Sequence, residues 1–268
     1  MRHEENARPL RDAGTVAMMS ERTMRTAGVD LAAENARTAL AVIEWSPGQA
    51  RLEDLSLQVS DLEIVRAAAS VAKLGVDCAF GWPLEFVEFV TDHANAAGTA
   101  TVDGGMAWRR TLAFRETDRA VHRKTDRWPL SVSTDRLGLT AMRCAGLLGR
   151  LAASGLVVDR SGGDGVVAEV YPGATLRLWK WEMRGYRTDP AVRTSLLETI
   201  EHEAPWLDLG SHRDLMIGSS DAFDAVIAAF AARAASRGLY ERPPHEHQMR
   251  AEREGWIVLP SCGLGDLV

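Results

Sequence analysis

The chain has 268 residues, 46% hydrophobic and 25% charged, with a formal net charge of −6. This composition excludes intrinsic disorder, collagen-like repeats and disulfide miniprotein scaffolds, and the length suffices for a substantial buried core. No apolar run reaches the roughly 18 residues of a membrane span, the charged N-terminal stretch lacks the apolar centre of a secretory signal, and the scattered Cys78, Cys144 and Cys262 read as reduced thiols of a cytoplasmic protein.

Residues 1–24 are polar and unpatterned and include Met18, Met19 and Met24. They are expected to form a flexible tail, or sequence upstream of the true start, before a single domain over 25–268. Thr26–Ala32 and Thr38–Trp45 read as two strands of a hairpin, and Arg51–Ser60 as a third strand after the Pro47-Gly48 turn. Asp61 starts a helix carrying Leu62, Val65, Ala69, Ala72 and Lys73, which Gly75 ends. Val76–Phe80 is a strand stopped by Gly81-Trp82-Pro83, and Leu84–Asn95 is a helix. Thr134-Asp135 caps a long apolar helix to about Ser154, closed by Gly155. Leu156–Asp159 and Val166–Pro172 flank Ser161–Gly165 as a second hairpin. Ala174–Met183 and Ala191–Glu203 are helical, Ser219-Ser220 caps the helix Asp221–Gly238, and Gly255–Pro260 is the last strand. Three meandering strands followed by helix–strand alternation predict an α/β architecture with a mixed sheet and right-handed crossovers.

Several carboxylates fall where charge is costly. Asp30, Asp77 and Glu169 interrupt apolar strands, and Asp221 and Asp224 share a face near the start of the last long helix. A charge within a buried strand costs several kcal/mol, roughly, unless it is paired, hydrogen-bonded or bound to metal. The strand-end positions suggest convergence at one sheet edge, where open α/β sheets bind ligands. Such a cluster would raise its own pKa values unless a cation neutralised it, and Mg²⁺ or Mn²⁺ suits oxygen ligands. Each acid alone also has an ordinary reading: Asp30 as a strand end facing water, Asp221 as a first-turn acid favouring the helix dipole. The set together points to a site.

An acidic chain needs a local basic surface to hold nucleic acid. One candidate lies between Arg109 and Arg127, where six arginines and Lys124 stand against three acids. Gly104-Gly105 would be the hinge if this segment were a mobile flap. Gly162–Gly165 lacks the strand-then-helix setting of a phosphate loop, His245-Glu246-His247 reads as a surface loop rather than a zinc site, and His122 is a candidate proton shuttle.

The ordered segments GVDLAAENARTALAVIEW, VDCAFGWP, RETDRAV, EVYPGATLRLW, SSDAFDAVIAAFAARAA and EGWIVLP resemble the DUF429 family, bacterial and archaeal proteins regarded as nucleases of ribonuclease H-like fold. The resemblance implies a ribonuclease H-like mixed sheet, three antiparallel strands then parallel ones, with helices on both faces. It implies two divalent metals held by acids of the first strand, the fourth strand and a late helix, here Asp30, Asp77 and Asp221 or Asp224, with Glu169 as a further family acid. Asp77 stands where many nucleases of that superfamily carry Glu. Arg115 and Asp118 match the family's Arg-x-Thr-Asp segment and would lie close to the acids. Two metals roughly 3.5–4 Å apart would activate water for in-line attack on phosphorus, and Arg115, Arg119 and Arg123, spaced by four, would offer phosphates one helical face. The same arginines also read as a solvated helix paired with Glu116 and Asp118.

The resulting expectation is a metal-dependent nuclease or other phosphodiester hydrolase acting on nucleic acid or a related phosphodiester, away from membranes. Two alternatives stay open. One is an actin-like or sugar-kinase-like phosphotransferase, which the sequence after Asp30 disfavours for want of a Gly/Thr phosphate hairpin. The other is a non-catalytic binding module on the same fold.

Overall fold

The computed structural model describes residues 23–95 and 104–268. The tail expected over 1–24 lies outside these residues up to position 22, and Met24 already belongs to the first strand. In chain order, β1 (Met24–Asp30), β2 (Ala39–Ser46) and β3 (Gln49–Leu57) form an antiparallel meander. They are followed by α1 (Asp61–Ala68), β4 (Lys73–Asp77), α2 (Leu84–Ala94), α3 (Gly105–Ala113), α4 (Glu116–Thr125), α5 (Gly138–Ala153) and β5 (Val167–Val170). Then come α6 (Pro172–Leu178), α7 (Pro190–Glu203), β6 (Leu207–Asp208), α8 (Arg213–Gly218), α9 (Ser220–Ser236), α10 (Gln248–Glu254) and β7 (Ile257–Val258).

The sheet has seven strands in the order β6-β3-β2-β1-β4-β5-β7. β4, β5 and β7 add in parallel beyond β1, and β6 pairs in parallel with β3 at the other edge. This is the expected mixed α/β sheet, three antiparallel strands then parallel ones, and it is consistent with a ribonuclease H-like fold. α1 and α5 cover one face, where Ile64, Cys144, Leu147 and Leu151 pack on Ala27, Val29, Leu74 and Val76. α9 covers the other, together with α6, α7 and α8.

Two glycines set how close α9 lies. A Cβ on Gly28 would stand 2.1 Å from the Ala225 carbonyl and the Ala229 amide, and one on Gly75 would stand 2.6 Å from the Ala228 carbonyl. The helix presents alanines there, so its backbone rests almost directly on β1 and β4. Thr26 Oγ1 donates to the Ala229 carbonyl (3.2 Å) and accepts from Trp45 Nε1 (2.9 Å), which locks the helix register.

Some local expectations are corrected. α1, opened by a Ser60–Glu63 capping box, ends at Ala68 rather than near Gly75. Lys73 and Gly75 belong to β4, where the space under α9 requires glycine and Lys73 Nζ donates to the Gly163 and Gly165 carbonyls (3.2 and 2.7 Å). Leu156–Asp159 forms no strand. Asp159 instead accepts from the Ser161 amide and hydroxyl (2.9 and 2.7 Å), turning the chain, and β5 pairs with β4 and β7. Asp135 does not cap α5. It accepts the Ser131 amide at 2.7 Å and closes the preceding turn. Pro172 opens α6 as its first residue rather than closing a strand.

Candidate active site

Asp30 and Asp77 are the last residues of β1 and β4 and are register partners across that parallel pair, so their Cα atoms lie about 4.8 Å apart. Strand alternation places both on the face of Gly28 and Gly75, beneath α9. Because Ala225 and Ala229 are fixed over Gly28, the preceding turn of α9 carries Asp221 and Asp224 over the strand ends. The Ser219 hydroxyl starts that turn by accepting the Ala222 amide at 3.2 Å. Asp30, Asp77, Asp221 and Asp224 all line one cleft of about 830 Å³. Its walls include Pro129, Leu130 and Leu137 on one side and Tyr171, Arg187 and Thr188 on another.

These acids are crowded and short of positive charge. Burial, then the charges of Asp224, Asp77 and Asp221, raise the Asp30 carboxyl well above its usual range, with Arg187 opposing. Burial and Asp224 push Asp77 up to about 8. Burial raises Asp224 to about 6, against the pull of Arg187 and the Tyr186 hydroxyl. Asp224, only 2% exposed, accepts from Tyr186 Oη at 2.9 Å and lies 3.3 Å from Arg187 Nη2. Asp221 accepts from Arg37 Nε at 2.9 Å.

Glu169 lines the same cleft, as does Arg115, and its charge adds to the upward push on Asp77, but its carboxylate is paired within the protein. It pairs in register with Val76, whose side chain packs on the α1–α5 face, so it leaves the sheet on the side opposite Asp77. There Arg115 grips it in a fork, Nη2 to Oε1 at 2.7 Å and Nη1 to Oε2 at 3.0 Å, while the Phe80 amide donates to Oε2 at 3.0 Å. Arg115 also donates to both oxygens of Asp118 and to the Glu254 carbonyl. Burial raises the Glu169 pKa, with Arg115 opposing. Burial opposes the charge on Arg115, but Asp118 and Glu169 outweigh it and push its pKa up. Gly255, at φ +90°, is required here, since a Cβ would stand 2.3 Å from Glu169 Oε2.

The expected arginine face therefore divides. Arg115 is buried under α4, whereas Arg119 and Arg123 lie outside on that helix, each beside Glu116 (3.7 and 3.4 Å). With Arg115 at its N-terminus held on every N–H, α4 is fastened to the sheet. His122 stacks on Trp128, ring centroids 4.2 Å apart, and is not among the cleft-lining residues. His245–His247 form a 3-10 turn in which His247 approaches Glu116 at 3.6 Å.

A family model described as "Protein of unknown function (DUF429)" matches residues 28–249. The chain belongs to the DUF429 family. No curated protein and no solved structure gives a significant match. The match spans β1 to the start of α10, so the family's extent includes all four aspartates of the cleft.

Among the described residues of this DUF429 chain, no three His, Cys, Asp or Glu side chains are grouped closely enough to hold a metal ion as they stand. The donor chemistry nevertheless suits a hard divalent cation: the acids offer carboxylate oxygens whose mutual repulsion such a cation would relieve. Arg187 lies against Asp224 and would have to give way. Of the arginines that line the cleft, sequence reasoning singled out Arg115 and missed Arg37, Arg136 and Arg187. Arg136 is exposed and, among the described residues, makes no ion pair or hydrogen bond. All three sit in irregular or 3-10 segments where no periodicity marks a functional side chain, and only the folded cleft gathers them.

Proposed function

We propose that this protein is a divalent-metal-dependent phosphodiester hydrolase, with nucleic acid as the substrate class. The observation that carries the reading is the set of four aspartates from β1, β4 and α9 in one cleft, where burial and mutual repulsion raise the carboxyls of Asp30, Asp77 and Asp224. Asp30, Asp77 and Asp224 would hold Mg²⁺ or Mn²⁺, with Asp221 at the rim. When bound, such an ion lowers the pKa of water and stabilises charge on a phosphoryl oxygen.

The chain's own residues supply the rest. Arg136, exposed at the rim, and Arg37, with its side chain 72% exposed, can bind substrate anions by charge-assisted hydrogen bonds. Pro129, Leu130 and Leu137 give the cleft an apolar wall that can carry a base. The fastened strand ends hold Asp30 and Asp77 without reorganisation.

Incubating the protein with single-stranded and duplex DNA and RNA and with bis(p-nitrophenyl) phosphate, in Mn²⁺ or EDTA, tests this. Hydrolysis that requires Mn²⁺ and falls to background in Asp30→Asn and Asp77→Asn is the expected outcome. Activity that persists in EDTA or in both variants would overturn the reading. A protein whose melting ignores Mn²⁺ and that cleaves nothing favours the non-catalytic binding module.

A further inference from the structure

Resting on the metal reading above, we infer that Arg187 is a resident counter-cation of the aspartate cluster, one that a divalent ion must displace. Its guanidinium stands where a cation is needed: it lines the cleft, lies 3.3 Å from Asp224 Oδ2 through Nη2, and donates through Nε to Tyr186 Oη at 3.1 Å. Tyr186 in turn donates to Asp224. Arg187 is thus held by one contact to Asp224 and one to Tyr186, over whose ring its guanidinium also lies (5.7 Å to the centroid), rather than by a fork.

The contrast with the buried arginine 72 positions earlier shows how loosely it is held. Arg115 places all five guanidinium N–H donors on protein acceptors and its side chain is 3% exposed. The Arg187 side chain is 55% exposed and leaves an irregular segment whose Gly185 has φ +87°, so it can swing into water without opening the core. Arginine's weakly hydrated, permanent charge neutralises part of the cluster while no ion is bound. The same charge, close to the ligand oxygens, lowers the site's affinity for an incoming divalent ion. Arg187 therefore sets the concentration at which the site fills.

Mn²⁺ alone is the probe. Its affinity, measured by electron paramagnetic resonance and by the rise in melting temperature, is compared in wild type, Arg187→Gln and Arg187→Lys. Removing the charge should tighten Mn²⁺ binding about tenfold, while the lysine variant stays close to wild type. Weaker or unchanged binding in Arg187→Gln overturns the inference and leaves the metal reading standing. Absence of Mn²⁺ binding in both wild type and Arg187→Gln overturns both. Should Arg187→Gln not fold, the wild-type Arg187 Nε–H resonance decides: saturating Mg²⁺ should shift it and speed its exchange with water, and an unmoved resonance refutes displacement.

Discussion

Two acid–arginine assemblies occupy the same end of the sheet, one on each face, and they are built on opposite principles. On the α1–α5 face, Arg115, Asp118 and Glu169 are almost wholly buried and saturate one another, with Glu254 accepting the Leu84 and Glu116 amides (2.9 and 3.0 Å) and joining the same bracing. On the α9 face, four aspartates share a cleft with one loosely held arginine among them and two nearer the rim. The first assembly also reaches the cleft through Arg115 and Glu169, but its charges are paired within the protein, and it ties the 80–85 turn, α4 and α10 to β5. The second keeps unmet charge facing a cavity, the condition in which strongly perturbed carboxylates mark a site of chemistry. Burial alone does not separate them. What does is whether the charges are balanced within the protein.

The largest effect should come from breaking the balanced side. Arg115→Ala leaves two buried carboxylates unpaired and is expected to cost about 3–5 kcal/mol in urea or thermal unfolding. Glu169→Gln keeps the shape and some hydrogen bonds and should cost less. A change below about 1 kcal/mol for Arg115→Ala would show that the network does not brace the sheet.

The unbalanced side should respond with the opposite sign. An aspartate ionises near pH 3.9, roughly, in an unfolded chain, whereas Asp77 is pushed up to about 8 and Asp224 to about 6 in the fold. Across that window the folded state binds more protons than the unfolded one, so their contribution is full at low pH and is lost as pH rises through about 8. The metal-free protein should therefore lose about 2 kcal/mol between about pH 5 and pH 8.5, a figure discounted for relaxation around the cleft. Saturating Mn²⁺ should restore more at the upper end of that range than at the lower. Asp77→Asn should flatten the profile and raise the metal-free melting temperature at about pH 8. A variant that melts lower there, or keeps the wild-type slope, refutes the crowding.

The smallest effect separates the rim of the cleft from the surface of α4. Arg136→Ala should change stability by less than about 0.5 kcal/mol, yet lower the slope of log affinity for oligonucleotides against log salt by about one. The double change Arg119→Ala/Arg123→Ala should leave that slope alone. The reverse pattern would return phosphate binding to the arginine-rich helix.

Much of this was legible in the chain itself. The strand meander, the later helix–strand alternation and the long alanine-rich helix follow from periodicity and capping residues, because burial of one face imposes those patterns locally. Asp30, Asp77, Asp221 and Asp224 were visible too, as charges set at the ends of elements whose other residues are apolar. Only the tertiary structure decided which of the acids meet. Glu169 looked like their equal in sequence and does line the same cleft, but the parallel register with β4 turns it to the opposite face of the sheet, where an arginine from a distant helix neutralises it. Likewise Gly28 and Gly75 carry no chemistry of their own, yet by letting α9 rest on the sheet they bring Asp224 to the strand ends. Arg187, in a loop without any periodic signal, becomes the cluster's counter-ion only there. Local patterns report the energetics of single elements. Charge balance depends on distances between elements, and those exist only once the chain has folded.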